Sequence, residues 1–278
     1  MGLGKLLGRG KKKDAYINHP KVQEVDSLVE RSVESQMSHL KDLRVVCVGG
    51  GNGSLTMAGL AGTMSKNVSI YYSPKYEKRA EELRKAINAN GGNLIVHTKD
   101  APNPTIQGAI AKVTTDASVV EDADIIIISL PGDKHELVIK ELGPYLKSQV
   151  ICFLPGTSAL DLKMIRDTLG TRSEMVFASG LTYTATKTLP WSTRQHAPGE
   201  MHIRGVKGKV EVTLFPSTSM TRFLVTGILD CLHSHPAATT HFLVQEHWLE
   251  ATYIPYNYCG NPILHTGFMY STWCVLIS

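Results

Sequence analysis

The 278-residue chain is 42% hydrophobic and 19% charged, so a core can form and wholesale disorder is excluded. Twenty-nine lysines and arginines against 25 acidic residues leave a net charge of +4. Five of those cations (Lys5, Arg9, Lys11, Lys12, Lys13) crowd the N-terminus, and the near-neutral remainder offers no basic stripe for nucleic acid. The apolar runs are too short to span a bilayer. Five cysteines without a CxxC pair read as reduced thiols of a cytoplasmic protein. No basic segment followed by an apolar one opens the chain, which argues against secretion.

Residues 1–13 predict a solvated tail. Gly2 invites myristoylation, but Leu6 stands where that motif requires Ser or Thr. Val22, Val25, Leu28, Val29, Val33, Met37 and Leu40 recur at helical spacing. They predict an amphipathic helix that packs on the body or joins two copies of the chain into an oligomer.

From residue 43 the pattern alternates strand and helix. Strands are predicted at 44–48, 68–72, 94–97, 124–130, 149–154 and 175–179, and helices at 55–64, 75–90, 134–142 and 159–169. This rhythm predicts an α/β fold with a doubly wound (Rossmann) parallel sheet. Beyond Gly180 it breaks. Residues 201–206 and 209–214 predict a hairpin around Gly208 that extends the sheet antiparallel. A helix from Ser219 follows, with Phe223, Leu224, Ile228, Leu229 and Leu232 on one side. The predicted divisions are 1–40, a tail and helix; 41–215, a dinucleotide-binding domain; and 216–278, the start of a helical domain.

Gly49-Gly50-Gly51-Asn52-Gly53-Ser54 fits G-x-G-x-x-small between a first strand and a helix. Gly49 permits the tight turn, Gly51 admits a pyrophosphate to the backbone, and Ser54 lets helix and strand pack closely, with Asn52 and Gly53 in the same turn. The motif predicts binding of NAD(H) or NADP(H). The second strand ends in Tyr72-Ser73-Pro74 instead of the carboxylate that grips a ribose 2′-hydroxyl. Lys75, Lys78 and Arg79 follow, and neither a carboxylate nor a dedicated arginine closes the strand, so weak discrimination between the coenzymes is predicted. Leu130-Pro131-Gly132 and Leu154-Pro155-Gly156 each end a strand, where a nicotinamide ring is expected, and Leu130 and Pro131 are candidate contacts. His233, His235, His241, His247 and His265 match no zinc-ligand spacing, so no metal site is predicted.

Three stretches together resemble the opine dehydrogenases, of the octopine dehydrogenase kind. They are the glycine turn with its flanking strand and helix (residues 45–62); Thr188-Leu189-Pro190-Trp191-Ser192-Thr193-Arg194 followed by Gly208-Lys209-Val210-Glu211-Val212; and His265-Thr266-Gly267-Phe268-Met269-Tyr270-Ser271-Thr272-Trp273. The resemblance implies reductive condensation of an amino acid with an α-keto acid such as pyruvate, at the expense of NAD(P)H, with His265 as general acid/base. Thr266 replaces the family's proline, and Thr157 stands where relatives tend to carry a glutamine that holds the keto acid. The family continues into a helical domain that supplies most of the amino-acid pocket, and this chain stops at Ser278. The chain as given is therefore expected to bind coenzyme and turn over poorly. The alternatives are a truncated, non-catalytic dinucleotide-binding relative, or a two-domain dehydrogenase of the 3-hydroxyacid or glycerol-3-phosphate type.

Overall fold

The computed structural model describes residues 42–98, 105–156, 159–233, 235 and 238–244. The predicted N-terminal tail and helix, Thr157 and His265 lie outside them. The chain runs β1 (Val45–Val48), α1 (Asn52–Met64), β2 (Val68–Tyr71), α2 (Glu77–Ala89), β3 (Asn93–Thr98), β4 (Thr105–Ala109), β5 (Lys112–Thr114) and β6 (Ile125–Ile128). It continues through α3 (His135–Leu142), β7 (Val150–Phe153), α4 (Ala159–Leu169), α5 (Ser173–Ala178), β8 (Thr182–Thr186), β9 (Trp191–Ala197), β10 (Glu200–Val206), β11 (Lys209–Phe215), α6 (Ser219–Leu232) and β12 (His241–Val244).

The central strands β1, β6 and β7 are buried at every position, as uniformly apolar strands covered on both faces must be. The main sheet has the order β12-β11-β8-β7-β6-β1-β2-β5. From β5 through β8 all pairings are parallel; β11 then runs antiparallel to β8, and β12 parallel to β11. Numbered by their own sequence order, the six parallel strands lie 3-2-1-4-5-6, the Rossmann arrangement. Because β12 pairs with β11, the sheet continues past Pro216 to Val244.

A second sheet, β4-β3-β10-β9, covers the other side of α1. Helix α1 is consequently buried continuously from Gly53 to Ala61, and its glycines are demanded by the approach of the second sheet. A Cβ at Gly59 would collide with Val96, and one at Gly108 in β4 would collide with the Gly59 backbone.

The doubly wound sheet is as predicted, with four local corrections. Residues 94–97 form a strand, but in the second sheet, where β3 alternates half-buried and buried positions; the third parallel place belongs to β5. Residues 175–179 lie mostly in α5, with Val176 buried and Met175 exposed, and the strand comes later as β8. A short apolar run does not distinguish helix from strand, and Gly180 (φ +117°) breaks the chain between the two. Strands β10 and β11 form no hairpin around Gly208, because β10 joins the second sheet and β11 the first. The hairpin is β9–β10, turning at Pro198-Gly199, where Gly199 takes φ +75°. On α6 the buried residues are Val225, Ile228, Leu229, Cys231 and Leu232, whereas Phe223 and Leu224 are exposed.

Cys47 and Cys152 are free thiols and buried, and Cys231 is buried as well. Burial pushes the Cys152 thiol up to about 12. No described helix is long and apolar enough to cross a membrane.

Candidate coenzyme site

In an open parallel sheet the crevice for a ligand lies beyond the carboxyl ends of the strands where the winding reverses. Here that point is between β1 and β6, and the residues following those strands are the glycine turn and Ser129-Leu130-Pro131. Gly49 takes φ +95°, reserved for glycine, and its N–H donates to Tyr71 O at 2.7 Å. The Leu130 side chain packs directly over Gly49, so the half-buried leucine and the exposed Pro131 line the crevice floor and rim.

The other four predicted positions of the turn divide by what surrounds them. At Gly51 a Cβ would meet only Ser129 O, at 3.9 Å, and the position is exposed. At Gly53 it would collide with the Ser129 hydroxyl and lie 3.1 Å from Leu189 Cδ2. Ser54 is fully buried. The Asn52 Oδ1 accepts from the Gln195 backbone N–H at 2.8 Å, and the Thr56 and Thr193 hydroxyls share a hydrogen bond of 2.6 Å. The segment from Leu189 to Gln195 is thus fastened along the first turns of α1.

The amino end of α1 has no side-chain cap and no acidic residue in its first turn. The backbone N–H groups of Asn52, Gly53 and Ser54, next to Gly51, have no acceptor among the described residues. An uncapped helix end beside an open glycine fits a dinucleotide pyrophosphate, whose charge those N–H groups would satisfy.

Two features of the crevice were not anticipated from the sequence. Tyr72 folds back so that its hydroxyl sits where a Gly50 side chain would be. Burial pushes the phenol up to about 12, against the opposing pull of the Arg79 charge. Beneath the two Pro-Gly turns lies a buried pair, His135 and Asp161, 1% and 0% exposed at the side chain, with Nδ1 and Oδ1 2.7 Å apart. His135 Nε2 faces the Leu130 carbonyl at 3.0 Å, while Asp161 Oδ2 lies 3.1 Å from where a Gly156 Cβ would stand. Both ring nitrogens thus have a hydrogen-bond partner. The pair therefore ties the turn after β6 to the turn after β7. No spacing rule could have found it, because its members are 26 residues apart and meet only because β6 and β7 are neighbours.

His233, one of the late histidines, is a packing residue. It is fully buried between Trp191 and Phe242, with its Nδ1 donating to Leu229 O at 2.8 Å. Among the described residues no group of three His, Cys, Asp or Glu side chains could hold a metal ion.

This strand order, with a bare helix end and a glycine turn at its switch point, defines a Rossmann-type domain. Within that class the chain is similar to octopine dehydrogenase. It is 27% identical over 234 residues to the octopine dehydrogenase of Mizuhopecten yessoensis, covering 83% of this chain and 54% of that protein. Solved structures of octopine dehydrogenase with NADH and L-arginine, and with NADH and pyruvate, each superpose with a TM-score of 0.61 at 27% and 26% identity. They cover 76% of this chain and 50% and 52% of theirs. A glycerol-3-phosphate dehydrogenase [NAD(P)+] of Acinetobacter baumannii is 25% identical over only 126 residues, 45% of this chain and 32% of that protein. No family model matches. The resemblance to opine dehydrogenases is borne out over most of the chain, which spans about half the length of the octopine dehydrogenases it matches.

Proposed function

We propose that this chain contributes the coenzyme-binding part of an opine dehydrogenase-type oxidoreductase, in which NAD(P)H drives the condensation of an amino acid with an α-keto acid. The observation that carries this reading is the uncapped glycine turn at the switch point, in a chain similar to octopine dehydrogenase well beyond that turn. The amine and the keto acid lose water to form an imine, and the bound coenzyme supplies hydride to the imine carbon. The residues of the chain bind and orient. Gly51, Asn52, Gly53 and Ser54 present N–H groups or close backbone to the pyrophosphate, while Leu130 and Pro131 bound the nicotinamide side. By the resemblance, His265 gives the imine nitrogen its proton and Thr157 stands beside the keto acid. A neutral-pH role suits an imidazole, whose ordinary value is about 6.5. The substrates are small molecules, and free, buried cysteines support a cytoplasmic location.

The test is oxidation of NADH and NADPH at 340 nm with pyruvate and a panel of amino acids, using the full chain and His265→Ala. Oxidation that requires both substrates together and disappears in the variant is the expected result. Oxidation by pyruvate or by a sugar phosphate alone overturns it. Coenzyme binding with no condensation at any protein concentration assigns the chain to the non-catalytic alternative.

A further inference from the structure

We propose that the crevice prefers NADP(H) to NAD(H), with Lys75 and Arg79 holding the adenosine 2′-phosphate beside the Tyr76 ring. This rests on the dinucleotide reading of the glycine turn and replaces the weak discrimination expected from sequence. In a sheet of this order the residues that close the second parallel strand meet the adenosine ribose, and a carboxylate there binds the 2′-hydroxyl of NAD. The strand here closes on Tyr72, 5% exposed and committed to packing against Gly50, so no carboxylate stands at that position.

Four of the surrounding carboxylates are engaged elsewhere. Glu77 accepts from Arg84 at 2.7 Å and from the Thr115 hydroxyl, and Glu81 also pairs with Arg84. Glu141 accepts from the Tyr71 and Ser73 hydroxyls at 2.9 and 2.6 Å, and Asp133 pairs with Lys134 at 2.6 Å. Glu82 lies within electrostatic reach of Tyr72 and makes no ion pair among the described residues. Arg84 thus engages Glu77 and Glu81, two of the three acidic side chains of α2. It leaves Lys75, Lys78 and Arg79 exposed, with no ion pair among the described residues.

Two of these cations lie against one aromatic ring. Lys75 Nζ lies 5.1 Å and Arg79 Cζ 5.8 Å from the centroid of the Tyr76 ring, within cation–π range. Two cations against one exposed ring, neither of them paired with a carboxylate among the described residues, leave positive charge for an anion to neutralise. A 2′-phosphate supplies that anion, with acceptor oxygens for both the ammonium and the guanidinium. The 2′-hydroxyl of NAD(H) finds no carboxylate to accept from it.

The proposal is tested by titrating the full chain with NADPH and with NADH, following coenzyme fluorescence, and by displacement with 2′-AMP and 5′-AMP. NADPH is expected to bind at least about tenfold more tightly (about 1.4 kcal/mol), and 2′-AMP to displace it better than 5′-AMP. In the Lys75→Ala/Arg79→Ala double variant, whose altered side chains are exposed, the ratio of the two affinities falls toward one. Equal binding, tighter binding of NADH, or a preference that survives the double variant overturns the proposal and leaves the dinucleotide reading intact. Binding of neither coenzyme overturns both.

Discussion

Replacing Gly51 with valine places side-chain atoms in the space a pyrophosphate would fill, and in almost no other space. The nearest atom to a Cβ there is Ser129 O at 3.9 Å, and the backbone at φ −80°, ψ 169° is an extended conformation open to any residue. The folded state should therefore accept the change, and a narrower unfolded chain adds about 0.4–1 kcal/mol of stability. Two residues on, the same operation does the reverse. A Cβ at Gly53 collides with the Ser129 hydroxyl and crowds Leu189, in a helix wedged between two sheets. Overpacking of that kind costs about 1–3 kcal/mol, which in a domain of this size lowers Tm by about 2–12 °C. Thermal melts and coenzyme titrations of Gly51→Val and Gly53→Ala separate the two effects. Gly51→Val should melt at or above the parent and bind coenzyme at least about 100-fold more weakly, about 2.7 kcal/mol. Gly53→Ala should melt lower. Unchanged coenzyme affinity in Gly51→Val would refute the placement of the pyrophosphate. A melt as depressed as that of Gly53→Ala would show that the turn is packed rather than open.

Asp161→Ala leaves His135 Nδ1 without its hydrogen-bond partner in a buried site, and a buried polar group left unsatisfied costs about 1–3 kcal/mol. The expected fall in Tm is about 2–12 °C, and a melt indistinguishable from the parent's would show that the pair does not brace the two turns. Burial holds the His233 imidazole down to about 4, from an ordinary 6.5. A depressed histidine is neutral in the fold and takes up its proton more readily in the unfolded chain. Between pH 6.5 and 4 the unfolded state therefore binds more protons, and stability falls as pH falls, by up to about 3 kcal/mol. Urea midpoints at pH 7 and pH 4.5 should show that loss in the parent and a smaller one in His233→Phe; an identical loss in both would assign it to other groups.

What was legible in the sequence follows from how far apart the interacting residues are. The glycine turn and the apolar runs of β1, β6 and β7 announce themselves, because each depends on residues within one turn or one strand. The second sheet does not. Its strands come from two separated stretches, 93–109 and 191–206, and β10 meets β3 only through a long-range parallel pairing. Strand β9 was read as a family motif and not as a strand, although Pro198-Gly199 marks its turn. The cations after β2 were visible, but not the way Arg84 gathers the neighbouring acids and leaves Lys75 and Arg79 without them.

Helix α1 shows why the second sheet bears on the site as well as on the fold. A helix that opens on a phosphate must keep its first N–H groups free, so the site denies it a cap and an acidic first turn. It also carries Gly53, Gly59 and Gly62, each of which weakens a helix by about 1 kcal/mol relative to alanine. Such a helix is a poor one in isolation, and burial on two sides has to offset the deficit. The main sheet supplies one side and the second sheet the other, with Gly59 against β4 and Leu189 against Gly53. Asn52 accepting from Gln195, and Thr56 paired with Thr193, fix the first turns where the missing cap would have done so. The Thr188–Arg194 stretch that carries much of the resemblance to opine dehydrogenases thus has a physical task before any chemical one: it braces the uncapped end of α1.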